Sequence, residues 1–180
     1  MPRKAKKKPF QGKKVYFSAP IRGVRENMPN LARDLVKFMK KGGADVLSEF
    51  VVANLGKTMD QAFSRKSGVS LLKSKEPWII ARQIDFQWVD EADYLVAEVT
   101  SPSLGVGMEI QRAKDKEALG LNHTKILCLC RQEVMDKEKL SWMIKGVTSE
   151  EHKNFYLVGY KTLPGAKRII TRFLTDKLKQ

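Results

Sequence analysis

Residues 93–116 read DYLVAEVTSPSLGVGMEIQRAKDK, and this stretch decides the fold. The first seven residues form a short apolar run, the pattern of a strand covered on both faces. Ser101-Pro102-Ser103 then breaks the run, and residues 104–116 take up helical spacing. A strand that passes through a short glycine-containing turn into a helix is the unit of a parallel α/β sheet.

The same alternation extends in both directions. Residues 15–19 form a first strand, closed by Pro20 and the turn Arg22-Gly23. Leu31, Leu35, Phe38 and Met39 fall at helical spacing within 30–41, and Gly42-Gly43 ends that helix. A second strand is expected at 45–50. Residues 54–75 are polar, with Gly56, Gly68 and several Ser and Lys, and suit a surface loop or insertion with one short helix. Pro77 stands as a first-turn proline for a helix over 76–92. Strands at 125–130 and 154–160, a helical stretch near 133–145 and a helix at 164–178 complete the order. The expectation is one doubly wound α/β domain over 15–180, with a five-stranded parallel sheet of Rossmann-like or flavodoxin-like type. Ligands of such sheets sit beyond the carboxyl ends of the strands.

Composition bounds the function classes. The chain has 180 residues, 42% hydrophobic and 30% charged, as expected of one globular domain and unlike a disordered or fibrous chain. No apolar run approaches ~18 residues, and the start lacks the apolar core of a secretory signal, so a cytoplasmic setting is expected. The net charge of +14 is unevenly spread. The first fourteen residues hold Arg3, Lys4, Lys6, Lys7, Lys8, Lys13 and Lys14 with no acid. The last twenty hold six basic residues against Asp176, which leaves +2 across 15–160. Residues 1–14 therefore read as a basic disordered tail, a nuclear address or a nucleic-acid contact, while the domain lacks a basic stripe of its own. Cys128 and Cys130, two apart on a strand, point to one face as small core residues. Their spacing fits neither a redox nor a zinc motif, and His123 and His152 lack partners at ligand spacing, so no metal site is expected.

The chemistry should lie after the first and third strands. Backbone N–H groups in the turn at Gly105 and Gly107 suit a phosphate, although an ordinary αβ turn reads the same way. Glu109 is placed near a helix start, where the macrodipole favours the ionised form; acids at such positions also serve stability alone. Asp85 falls within an apolar arc made by Trp78, Ala81, Trp88, Val89 and Ala92. A carboxylate there is paired, for instance with Arg82, or used, and burial raises its pKa. Two carboxylates whose environments pull their pKa values apart suit acid/base work at a glycosidic centre. Arg22 offers a fork for a phosphate.

Four blocks also carry a family resemblance: residues 16–23 (YFSAPIRG), 85–88 (DFQW), 97–109 (AEVTSPSLGVGME) and 141–146 (SWMIKG). Over about 15–175 the chain resembles the 2′-deoxynucleoside 5′-phosphate N-hydrolases of the nucleoside 2-deoxyribosyltransferase superfamily. The resemblance implies a homodimer that cleaves deoxynucleoside monophosphates into free base and 2-deoxyribose 5-phosphate, with no metal or organic cofactor. It implies Glu109 as nucleophile, Asp85 as the acid assisting the base, and Tyr16 as the group that orients Glu109 and lies against C2′. The substrate would be held by Ala19, Pro20, Ile21, Arg22, Gly23, Arg25, Ser103 and Gly105. Ser141 and Met143 would be supplied across the dimer interface. Pro20 stands where the family usually has a phosphate-binding serine, Phe50 where it has a histidine near the base, and Leu31 where it has a tyrosine. Transfer of deoxyribose between bases and non-catalytic nucleotide or nucleic-acid binding are the alternatives to hydrolysis.

Overall fold

A computed structural model describes residues 8–21, 28–53 and 57–179. The strands are β1 (Lys14–Ser18), β2 (Asp45–Val46), β3 (Tyr94–Glu98), β4 (Lys125–Arg131) and β5 (Phe155–Tyr160). All pair in parallel, in the order β2-β1-β3-β4-β5. This is the expected doubly wound sheet, and its strand order reverses between β1 and β3. The helices are α1 (Met28–Lys41), α2 (Lys57–Ser67), α3 (Pro77–Glu91), α4 (Leu104–Asp115), α5 (Gln132–Asp136), α6 (Trp142–Lys145) and α7 (Leu163–Leu174).

Strand alternation divides the core into two layers. Val15, Phe17, Tyr94, Val96, Leu127 and Leu129 face α1 and α7. Tyr16, Leu95, Ala97, Ile126, Cys128 and Cys130 face α3 and α4. The two cysteines share one buried face, and burial pushes both thiols up, Cys130 to about 11.

Two ties fix α3 against α4. Arg112 forks onto Asp90 through Nε at 2.8 Å and a terminal nitrogen at 2.7 Å. The buried Lys116 ammonium donates to the carbonyls of Val89 and Ala92 and to Thr124 Oγ1, at 3.3, 2.9 and 2.6 Å. It thereby satisfies orphan acceptors at the end of α3.

Several local expectations are corrected. The strand expected at 45–50 stops at Val46, because Ser48 Oγ accepts from Phe17 N (2.8 Å) and donates to Phe17 O (2.6 Å) in place of ladder bonds. A 3-10 turn, Glu49–Val52, follows. The polar stretch expected as a surface loop with one short helix does carry that helix, α2, but adds a second 3-10 turn, Leu71–Lys73, and buries Phe63 completely. The helical stretch near 133–145 splits into α5 and α6 around Glu138, whose φ of 53° breaks it. The last helix ends at Leu174, just before Asp176 at φ 58°.

Of the run expected as a tail, residues 1–7 lie outside the described residues, and residues 8–14 make the following contacts. Phe10 is buried edge-on against Phe38 at 5.7 Å, and its N–H donates to Gly42 O at 2.8 Å. Lys13 Nζ donates to the Tyr94 hydroxyl at 2.6 Å and pairs with Asp176 at 3.3 Å. Tyr94 donates to the same carboxylate, which Lys125 also pairs at 2.7 Å. Phe10 and Lys13 thus pack on α1 and the sheet. Among the described residues, no helix is long and apolar enough to cross a membrane.

Candidate active site

The carboxyl ends of β1 and β3, at the point where the strand order reverses, converge on four side chains. Tyr16, buried on β1, donates its hydroxyl to Asp85 Oδ1 of α3 at 3.2 Å. Ser18 lies two residues further along the same strand face and donates to Glu109 Oε2 of α4. The Tyr16 hydroxyl also favours the charged form of Glu109. One strand therefore supplies a hydroxyl donor to each carboxylate. The resemblance pairs Tyr16 with Glu109, and here the Tyr16 hydroxyl meets Asp85 as well as Glu109.

Burial dominates the electrostatics. Desolvation, and then the nearby Glu109 charge, raise Asp85 to about 7 despite the Tyr16 bond. Desolvation raises Glu109 to about 6, with the Ser18 and Tyr16 hydroxyls pulling the other way. Desolvation, with both carboxylates as neighbours, holds the Tyr16 phenol well above its ordinary value. This corrects the expectation that a helix start lowers the Glu109 pKa. Glu109 is the sixth residue of α4, beyond the first turn where the macrodipole acts. The pKa values remain apart, with Glu109 the more acidic.

Asp85 pairs with Tyr16, while Arg82 stacks over the Phe86 ring at 4.3 Å. The apolar arc around Asp85 holds at Trp88, Val89 and Ala92, but Trp78 at its start is 65% exposed.

A cavity of about 340 Å³ opens over the carboxylates, lined among the described residues by Ala19, Ile21, Phe50, Val51, Met59, Asp85, Ser103, Gly105, Val106 and Glu109. Ala19, Ile21, Ser103 and Gly105 are thus brought together with the catalytic candidates. Pro20 is buried between two of them. Arg22, Gly23 and Arg25 lie outside the described residues. Ser103 caps α4, its Oγ accepting from Val106 N at 3.4 Å. Leu31 is buried in the α1 layer of the core, across the sheet.

Ser141 and Met143 line a different groove, of about 720 Å³, which shares Ser103 and Val106 with the first. Its rim exposes Leu104 (91%), Trp142 (82%) and Met143 (84%). Contiguous exposed apolar side chains of this size mark an interaction site.

Sequence reasoning missed Ser18, Val51 and Met59. The signal for Ser18 was its i, i+2 relation to Tyr16 on one strand face.

Among known proteins, a Nematostella vectensis protein that carries the name 2′-deoxynucleoside 5′-phosphate N-hydrolase 1 by assignment is 35% identical over 156 residues, covering 83% of this chain and 86% of that protein. The chain belongs to the 2′-deoxynucleoside 5′-phosphate N-hydrolase family. A human member of this N-hydrolase family, named 5-hydroxymethyl-dUMP N-hydrolase, is 34% identical over 73% of this chain and 64% of its own length. No family model matches the chain. The structure of a Clostridium botulinum CMP N-glycosidase superposes with a TM-score of 0.54 over 88% of this chain and 97% of that one. At 21% identity, that likeness shows the shared fold of the N-hydrolase family member and the glycosidase.

Proposed function

We propose that this chain hydrolyses the N-glycosidic bond of 2′-deoxynucleoside 5′-monophosphates, with Glu109 as nucleophile and Asp85 as acid and then base. The reading is carried by the two half-buried carboxylates at the switch point, each with its own hydroxyl donor, facing one open cavity.

The chemistry follows from their protonation. Near neutral pH Glu109, at about 6, is largely ionised, while Asp85, at about 7, keeps its proton in much of the population. The Glu109 carboxylate attacks C1′, and the C1′–N bond breaks as Asp85 passes its proton to the departing base. A deoxyribosyl ester of Glu109 results. Asp85, now ionised, takes a proton from water, whose oxygen attacks C1′. The C1′–O bond to Glu109 breaks, giving 2-deoxyribose 5-phosphate and restoring both carboxyl groups. This is the retaining route of glycoside hydrolysis. Tyr16 stands beside both carboxylates, where the sugar would lie, and disfavours a 2′-hydroxyl.

Phosphate is assigned to the Ser103 and Gly105 turn together with Arg22, Gly23 and Arg25. Its binding energy positions C1′, so unphosphorylated nucleosides react poorly. The exposed groove is assigned to a second copy of the chain. The groove adjoins the cavity through Ser103 and Val106, so a partner seated there brings its own Ser141 and Met143 to the neighbouring site.

The test is incubation with a panel of deoxy- and ribonucleoside monophosphates, following free base by chromatography, with Glu109→Ala alongside. Base release from deoxynucleotides by the unaltered enzyme alone is expected. Absence of release from every nucleotide refutes the proposal. Appearance of a new nucleotide on adding a second free base identifies transfer in place of hydrolysis.

A further inference from the structure

We infer that the cavity selects against a hydroxyl on the outer edge of the base, favouring a 5-methylpyrimidine deoxynucleotide over its 5-hydroxymethyl counterpart. This rests on the reading of the cavity as a deoxynucleotide site and adds the class of base it takes.

The cavity wall divides by chemistry. Among the described lining residues, the polar side chains are Asp85, Ser103 and Glu109. Two of these serve the glycosidic bond, and Ser103 caps α4. The remaining large lining side chains, Ile21, Phe50, Val51 and Met59, are apolar. Phe50 is held from behind, edge-on to Phe63 at 5.2 Å and tilted to Trp88 at 5.7 Å. Trp88 lies one helical turn beyond Asp85, the group that meets the departing base, so the aromatic wall stands on the base side of the cavity. Its backing is closed, because Phe63 and Trp88 also pack on each other at 5.3 Å.

A base pressed against this wall has its outer edge over a ring and a thioether, which offer at best a weak acceptor. A methyl group there gains by burial. Among the described lining side chains none is left to pair with a hydroxymethyl group there, so its hydroxyl loses water uncompensated, a penalty that lowers kcat/KM about tenfold or more. The human relative is named for 5-hydroxymethyl-dUMP, the substrate that this wall would disfavour.

The experiment compares kcat/KM for dTMP and 5-hydroxymethyl-dUMP on the same enzyme preparation, with Phe50→His and Met59→Gln beside the unaltered chain. The expected result is a preference for dTMP of about tenfold or more, narrowed about fivefold in whichever variant retains a cooperative melt. Equal rates, or a preference for the hydroxymethyl nucleotide, overturn the inference. So does hydrolysis of other deoxynucleotides but neither of these two, or a ratio unmoved in folded variants. If no deoxynucleotide is hydrolysed at all, it is the proposed function that has failed.

Discussion

Ser18→Ala removes one hydroxyl and leaves the Glu109 carboxylate with one oxygen short of a donor inside a half-buried site. In the unaltered protein the Ser18 hydroxyl donates to Glu109 and favours its charged form, against the desolvation that raises its pKa to about 6. A hydrogen bond to a charged group contributes ~1.5–3 kcal/mol. At ~1.4 kcal/mol per unit, the acidic limb of the kcat/KM profile should move up by about one to two pH units. At pH 6 activity then falls about 5- to 50-fold, whereas at pH 9, where Glu109 is ionised in both proteins, the loss is much smaller. The assay is base release across pH 5–9 under subsaturating substrate, with Ser18→Thr as the variant that restores a donor. A limb that stays in place in Ser18→Ala, whether activity is full or uniformly reduced, refutes the claim that this hydroxyl sets the charge of Glu109.

Asp85→Asn should abolish most activity yet stabilise the fold. Both carboxyl groups have raised folded pKa values, so between about pH 4 and 7 the native state holds more protons than the unfolded chain and stability falls as pH rises. At pH 8 Asp85→Asn should melt higher by about 2–4 °C for each of roughly 1–3 kcal/mol gained, and the gain should vanish at pH 4, as thermal melts at both pH values would show. Phe63→Ala empties the junction between Phe50 and Trp88 and should cost about 3–5 kcal/mol in urea unfolding. The proposed second copy on the exposed groove predicts that Trp142→Glu shifts sedimentation from dimer to monomer and lowers base release with it; a monomeric unaltered chain, or a dimer unchanged in the variant, rejects that groove as the interface. Gly42→Ala would drive a methyl into the Phe10 ring and should lower the melting temperature, an effect expected to disappear in a Phe10→Ala background.

The sheet was legible because each strand is a compact apolar run followed by a helical pattern, and periodicity carries that information directly. Glu109, Asp85 and Tyr16 were legible through the motif blocks, and the structure brings all three together. Local polar contacts were not legible. Ser48 ends β2 by bonding both backbone groups of Phe17, thirty-one residues away in sequence. Phe63 sits in a stretch whose composition is that of a loop, and only the facing Phe50 and Trp88 make it a core residue. The sign of the Glu109 shift failed for a related reason. A helix-start argument weighs one nearby dipole, but burial by neighbouring elements decided the outcome.

The Lys13–Tyr94–Asp176–Lys125 cluster joins the residue before β1 to the turn after α7, at the amino edge of the sheet. The cavity lies at the opposite, carboxyl edge. Both described ends of the domain therefore point away from the substrate's entrance. An affinity tag, a linker or a fused protein joined directly at residue 8 or residue 179 starts on the side away from the cavity's mouth. The same proximity makes the ends suitable for joining by a short linker, with new termini opened in a surface turn such as the one at Gly120, where φ is 73° and the chain is exposed.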